Sequence, residues 1–161
     1  MKVSKSVFYQ LSTIFVLLAI FLFSFAFQAK ADTSTALVHE YQNPNNGDNL
    51  CTANRAEMTA LTNAGWEYED GWYAPTTSGV AVYRLYNPNS GKHFETAASA
   101  EKNSLVSSGW NYEGIAFYSG GSLQILRWYV PSTGAHFYTT AIILSPQGIN
   151  YEGIAWYALS R

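Results

Sequence analysis

The chain has 161 residues, of which 48% are hydrophobic, 16% aromatic and 12% charged, with a single cysteine and a formal net charge of −2. This composition excludes a disordered polar tail, a disulfide-stapled miniprotein and a basic nucleic-acid binder. The length predicts one domain able to bury roughly two thirds of its unfolded surface, enough for a core without metal or disulfide help.

At the N-terminus, Lys2 and Lys5 precede an uncharged apolar run from Leu11 to Phe27, and Ala29-Lys30-Ala31 follows with small residues where a signal peptidase requires them. Residues 1–31 are expected to be an export signal cleaved after Ala31, leaving residues 32–161 as a single secreted domain without stable membrane insertion. A retained anchor is the alternative, because the run reaches the lower edge of a membrane span. Cleavage leaves six basic against eleven acidic side chains. An acidic protein gains no long-range attraction to nucleic acid or teichoic acid. Cys51 is alone, so no intramolecular disulfide is expected, and it reads as a small residue tolerated in a strand.

The exported part repeats itself. Asn43-Pro44-Asn45-Asn46-Gly47, Asn87-Pro88-Asn89-Ser90-Gly91 and Val130-Pro131-Ser132-Thr133-Gly134 place their prolines 44 and 43 residues apart. Downstream, Gly65-Trp66-Glu67-Tyr68-Glu69, Gly109-Trp110-Asn111-Tyr112-Glu113 and Gly148-Ile149-Asn150-Tyr151-Glu152 recur at 44 and then 39. Three units, about 38–75, 80–120 and 123–159, account for nearly the whole exported chain.

Each unit reads as strand, turn, strand, helix, strand. Aromatic-rich segments such as Val82-Tyr83-Arg84-Leu85-Tyr86 and Leu126-Arg127-Trp128-Tyr129 have strand composition, and Pro-x-x-Gly then supplies a hairpin connection. The return strands are His93-Phe94-Glu95-Thr96 and His136-Phe137-Tyr138-Thr139. Asn54 with Glu57 resembles a capping box, Met58, Leu61 and Ala64 follow at helical spacing, and Gly65 and Gly109 are helix stops. Ser145-Pro146 and a four-residue shortening leave the third unit a turn or one 3₁₀ piece. Gly114-Ile115-Ala116-Phe117-Tyr118, Gly153-Ile154-Ala155-Trp156-Tyr157 and the contracted Gly71-Trp72-Tyr73 close the units as strands. An open array of three would expose two apolar ends. The expected fold is therefore a mainly-β domain with short helices, closed with pseudo-threefold symmetry, a trefoil-like arrangement being one such closure.

The pattern Tyr83-Arg84-Leu85-Tyr86-Asn87-Pro88, Gly91-Lys92-His93-Phe94, Thr96, Glu101, Gly109-Trp110 and Glu113-Gly114-Ile115-Ala116-Phe117-Tyr118 resembles a bacterial repeat family of unknown function. That family occurs in three copies as an accessory C-terminal region of secreted muramidases, amidases and other cell-wall or polysaccharide hydrolases. The resemblance spans about Val38 to Ala158. It implies an extracellular, non-catalytic module of a Gram-positive bacterium that binds a cell-wall or surface glycan. The first unit departs most. His39 is read at the place of Arg84 and Arg127, Asn49 at that of His93 and His136, and Leu50-Cys51 replaces Phe-Glu and Phe-Tyr. In the third unit Leu144 stands where Glu57 and Glu101 do.

Arg84, His93 and Glu113 recur as Arg127, His136 and Glu152. Such a set can grip a sugar hydroxyl or carboxylate, or it can staple neighbouring strands internally. Aromatic faces suit the C–H face of a pyranose, so Trp110, Tyr112 and Tyr151 join the candidate ligand-binding set, while Trp72, Phe117 and Trp156 read as core. No catalytic motif, metal-ligand spacing or cofactor loop is present, and no enzyme activity, metal or cofactor is expected. A secreted lytic or bacteriocin-like effector and a protein-interaction domain are the rival readings.

Overall fold

The computed structural model describes residues 34–160, so the expected export signal at residues 1–31 lies outside the described residues. In chain order the elements are β1 (Thr35–Asn43), β2 (Asp48–Thr52), α1 (Arg55–Asn63), β3 (Glu67–Pro75), β4 (Val80–Asn87), β5 (Lys92–Thr96), α2 (Ser99–Ser107), β6 (Asn111–Ser119), β7 (Leu123–Val130), β8 (Ala135–Thr139) and β9 (Asn150–Ala158). They form three three-stranded antiparallel sheets, ordered β2-β1-β3, β5-β4-β6 and β8-β7-β9. The described residues are thus mainly β with two short helices.

The turns follow from their sequence. In each Pro-x-x-Gly connection the glycine N–H returns to the residue before proline, Gly47 to Asn43, Gly91 to Asn87 and Gly134 to Val130, at 2.7–2.8 Å. These glycines take φ near +70°, which costs other residues steric strain. Helices α1 and α2 stop at Gly65 and Gly109, where Trp66 and Trp110 donate back to Leu61 and Leu105 at 3.0 and 3.1 Å. Residues 140–149 contain bends only, in keeping with the shortened third unit.

Two expectations need correction. Asn54 caps α1 by accepting from Ala56 and Glu57, but the capping box does not close. The Asn54 N–H donates to Thr52 Oγ1 at 3.0 Å, and the Glu57 carboxylate is drawn away to Arg84. The closing strands also begin earlier than their glycines suggest, at Glu67, Asn111 and Asn150, so the Tyr-Glu pairs lie inside strands.

Bulges accommodate those pairs. Arg84 faces Gly114 while Leu85 faces Tyr112, which leaves Glu113 as an extra residue; Glu152 is the extra residue between Gly153 and Tyr151 opposite β7, and Glu69 that between Asp70 and Tyr68 opposite β1. A second bulge sets Ala116 and Ala155 aside in β6 and β9. β3 has one residue fewer between Glu69 and Trp72 than β6 has between Glu113 and Phe117, and it has only the first bulge.

The core draws the same kinds of residue from each sheet. Val38, Val82 and Ile125 are completely buried, and opposite them in register sit Trp72, Phe117 and Trp156, between 1% and 5% exposed. Their rings meet at 6.4 Å (Trp72 and Phe117), 6.0 Å (Trp72 and Trp156) and 5.4 Å (Phe117 and Trp156), as the apolar runs around them predict. Each contributes about 1.5–3 kcal/mol of burial. Hydrogen bonds from Leu159 N–H to Tyr73 O and from Gly120 N–H to Tyr157 O, each 2.9 Å, tie the sheets at their margins.

Candidate functional site

The second sheet gathers Arg84, His93 and Glu113 into one charged cluster. The bulge re-aims Glu113 so that its Oε2 accepts from Arg84 Nε at 2.9 Å, and Gly114 can follow because it holds φ +115°. Arg84 Nη1 reaches across to Glu57 of α1, also at 2.9 Å. His93 donates its backbone N–H and directs Nδ1 to the two oxygens of Asp48, each at 2.7 Å, while its Nε2 lies 3.6 Å from Glu113. Burial works against a charged His93, yet Asp48, Glu95 and Glu113 raise its pKa above the ordinary imidazole value. Burial likewise opposes ionised Glu57, and bonds from Arg84 and Thr52 outweigh it and lower the pKa.

In the third sheet Arg127 takes Glu101 of α2 with two parallel bonds, 3.0 and 3.1 Å, and its Nε lies 2.8 Å from Glu152. His136 Nε2 is 3.3 Å from the same Glu152 oxygen. The residue corresponding to Asp48 is Lys92, whose ammonium bonds Asn46 O. His136 instead meets the Phe94 ring edge-on at 4.8 Å, and burial lowers its pKa. Two histidines that look equivalent in sequence therefore carry opposite shifts.

The first sheet corrects the sequence alignment. β1 pairs Glu40 with Cys51 as β4 pairs Arg84 with Glu95 and β7 pairs Arg127 with Tyr138, so Glu40, not His39, occupies the arginine position. Glu40 is 1% exposed, and its Oε1 accepts the Tyr138 N–H at 2.8 Å. Cys51 N–H donates to Glu95 Oε1 at 3.0 Å, Glu95 N–H to Tyr138 Oη at 2.8 Å, and Tyr138 Oη to Glu95 O at 2.8 Å. These three mid-strand residues of β2, β5 and β8 meet inside the protein.

The charged sets are therefore largely consumed by internal pairing. Each sheet also exposes a tyrosine at a corresponding strand position: Tyr68, Tyr112 and Tyr151 are 55%, 44% and 54% exposed. Tyr68 stands edge-on to His39 at 4.9 Å and to Tyr41 at 6.2 Å; Tyr112 lies 6.1 Å from Tyr83; Tyr151 lies 5.0 Å from Trp128. Trp110 is half-buried, edge-on to Phe94 at 6.0 Å, and so is less open than Tyr112. Clefts lie on the same sheets, one of them lined by Tyr151 itself. One of about 350 Å³ lies between α1 and the first sheet, lined by His39, Tyr41, Arg55, Met58, Thr59, Thr62 and Asn63. One of about 190 Å³ exposes the Glu57–Arg84–Glu113 group. A third, about 310 Å³, is walled by Leu126, Trp128, Ile142, Ile143, Pro146 and Tyr151 with Gln124.

A family model described as a domain of unknown function (DUF5648) matches residues 37–159. The chain belongs to that family. No curated protein and no solved structure matches it. The matched span takes in both helices and every strand except the first two residues of β1, and with them both charged clusters and all three tyrosines.

Sequence reasoning brought together Arg84, His93 and Glu113, and Arg127, His136 and Glu152, but missed Asp48, Glu57 and Glu101 as their partners. It also missed Tyr68. The signal was present, because Tyr68-Glu69 repeats Tyr112-Glu113 and Tyr151-Glu152. Among the described residues no group of three or more His, Cys, Asp or Glu side chains is placed to hold a metal ion, and no helix is long and apolar enough to cross a membrane.

Proposed function

We propose that this domain is a secreted, non-catalytic module that binds a bacterial cell-wall or surface polysaccharide through three tyrosine platforms. The three sheets close about a pseudo-threefold axis in a trefoil-like manner, a reading supported by the meeting of Trp72, Phe117 and Trp156, one from each sheet. The observation that carries the functional reading is the half-exposure of Tyr68, Tyr112 and Tyr151 at corresponding positions. An exposed phenol ring offers an apolar face to the C–H side of a pyranose and a hydroxyl to its oxygens. Single platforms of this kind bind weakly, and three on one rigid body bind a repeating polymer by avidity.

Binding without turnover fits the carboxylates. A glycosidase acid needs a raised pKa at a position open to substrate. Glu57 and Glu101 are lowered by their arginines despite burial, whereas Glu40 and Glu95, which are raised, are sealed in the interior.

Co-sedimentation of the exported protein with purified Gram-positive cell walls tests the proposal. Saturable binding that falls about tenfold or more in the folded Tyr68→Ala/Tyr112→Ala/Tyr151→Ala variant supports it. Absence of binding to walls and to a panel of surface polysaccharides overturns it. Ile142 and Leu144, 73% and 89% exposed, favour a second reading as a protein-interaction domain. Free saccharide competes with the partner only in the first case.

A further inference from the structure

We infer that the saccharide unit read by the first two platforms carries a carboxylate. This rests on the glycan-binding reading above and concerns which sugar those platforms select. Five lysine and arginine side chains fall within the described residues. Arg84 and Arg127 are each held between two carboxylates, and Lys92 is buried with its ammonium on Asn46 O. The other two, Arg55 and Lys102, have no carboxylate partner among the described residues.

Lys102 lies beside the exposed Tyr112, and Arg55 shares a cleft with the two rings that pack against Tyr68. Arg55, exposed at the start of α1, lines the cleft of about 350 Å³ together with His39 and Tyr41, which in turn pack against Tyr68. Lys102 of α2 holds its Nζ 5.1 Å from the Tyr83 ring centre and 5.2 Å from that of Tyr112. The two helices thus present their cations differently: α2 sets Lys102 over two tyrosine rings, and α1 sets Arg55 on the wall of a cleft that His39 and Tyr41 also line. In an acidic exported chain, a cation left without a carboxylate beside an aromatic ring is a site for an external anion.

The geometry suits a pyranose carboxylate. The ring lies against tyrosine while the carboxylate accepts from a guanidinium fork or an ammonium, the ammonium already steadied by two phenol faces. In the first cleft His39 directs Nδ1 to Tyr41 Oη at 3.3 Å, which leaves Nε2 for a ligand hydroxyl. Among the described residues no cation lines the cleft of the third platform, which is walled by Leu126, Trp128, Ile142, Ile143 and Pro146 and suits a neutral sugar face.

The test compares Kd by titration calorimetry for tetragalacturonate, its fully methyl-esterified form, a muramic-acid-containing disaccharide with a free carboxylate, and chitotetraose. The expected result is binding about tenfold or more tighter for tetragalacturonate than for its ester, weakening with added salt. The preference collapses toward unity in Arg55→Gln/Lys102→Gln, whose fold is checked by circular dichroism. Tight binding of the muramic disaccharide as well marks the carboxylate, whatever its sugar, as the recognised group. Equal affinity for acid and ester, or an undiminished preference in the double variant, overturns the inference and leaves glycan binding standing. Binding of none of these saccharides together with none to cell walls overturns both.

Discussion

The backbone N–H of Tyr138 donates to Oε1 of Glu40 at 2.8 Å, and the bond fills a place that Cys51 cannot. Cys51 N–H is received by the side chain of Glu95, and Glu95 N–H by that of Tyr138. The third bond of this series would fall to Cys51, whose side chain is too short and too weak an acceptor. Glu40, one strand over and opposite Cys51, supplies the oxygen instead.

Removing that oxygen leaves a buried donor unsatisfied. Glu40→Ala is expected to cost about 1–3 kcal/mol, whereas Glu40→Gln keeps an acceptor and most of the stability. Urea unfolding with an unchanged slope measures the difference. Equal midpoints for Glu40→Ala and wild type would show that the bond contributes nothing net.

Stability should depend on pH through Glu95. Burial, against the Cys51 N–H, His93 and Arg84, pushes its carboxyl up to about 7. An unfolded glutamate releases its proton near 4.5, so between these values the folded state holds the extra proton and stability falls as pH rises. Glu95→Gln keeps the neutral shape and removes the titration. Relative to wild type it should gain stability from pH 5 to pH 8, on the order of 3 kcal/mol, with little relative change above about pH 8. Parallel melting curves for the two proteins across this range would contradict it.

Arg84 holds Glu57 and Glu113 at once. Arg84→Ala leaves Glu57 without its cation and Glu113 with only the more distant His93, and is expected to cost about 2–3 kcal/mol; Arg84→Lys recovers little because one ammonium cannot span both bonds. Arg55→Gln should change stability by less than about 0.5 kcal/mol. Chemical denaturation of the three variants makes the comparison, and equal losses would contradict it.

The hairpins and helix stops were legible because Pro44, Gly47, Gly65 and their counterparts answer to local backbone geometry. The core aromatics were legible because Trp72, Phe117 and Trp156 sit in apolar runs. The arginine position of the first sheet was not. Proline spacing points to Glu40, but a carboxylate in place of a guanidinium reads as a mismatch, and His39 looks the closer chemical match. Only the pairing of Glu40 with Cys51 decides it, and only the path to Tyr138 explains it. The bulges were equally hidden. Nothing local to Glu113 announces that it is an unpaired residue turned toward Arg84, since that depends on strand register.

Cys51 should be chemically silent in the folded protein. It is completely buried, and burial, with Glu95 and Glu40 close by, pushes the thiol well above its ordinary pKa. A thiol-specific dye is expected to label it only as fast as the fold opens, and immediately in denaturant. Rapid stoichiometric labelling under native conditions would contradict this.

The meeting of Cys51, Glu95 and Tyr138 gives each of the three sheets its own address. A protein built by copying the Val80–Ser119 segment three times would place three glutamates in one sealed chamber, where each ionisation raises the cost of the next. Copies of the first segment would bring three short thiols and, with them, three buried Glu40 carboxylates. The pieces are therefore alike in outline and not exchangeable, and a designer wishing to idealise this architecture would have to redesign its centre before duplicating its rim.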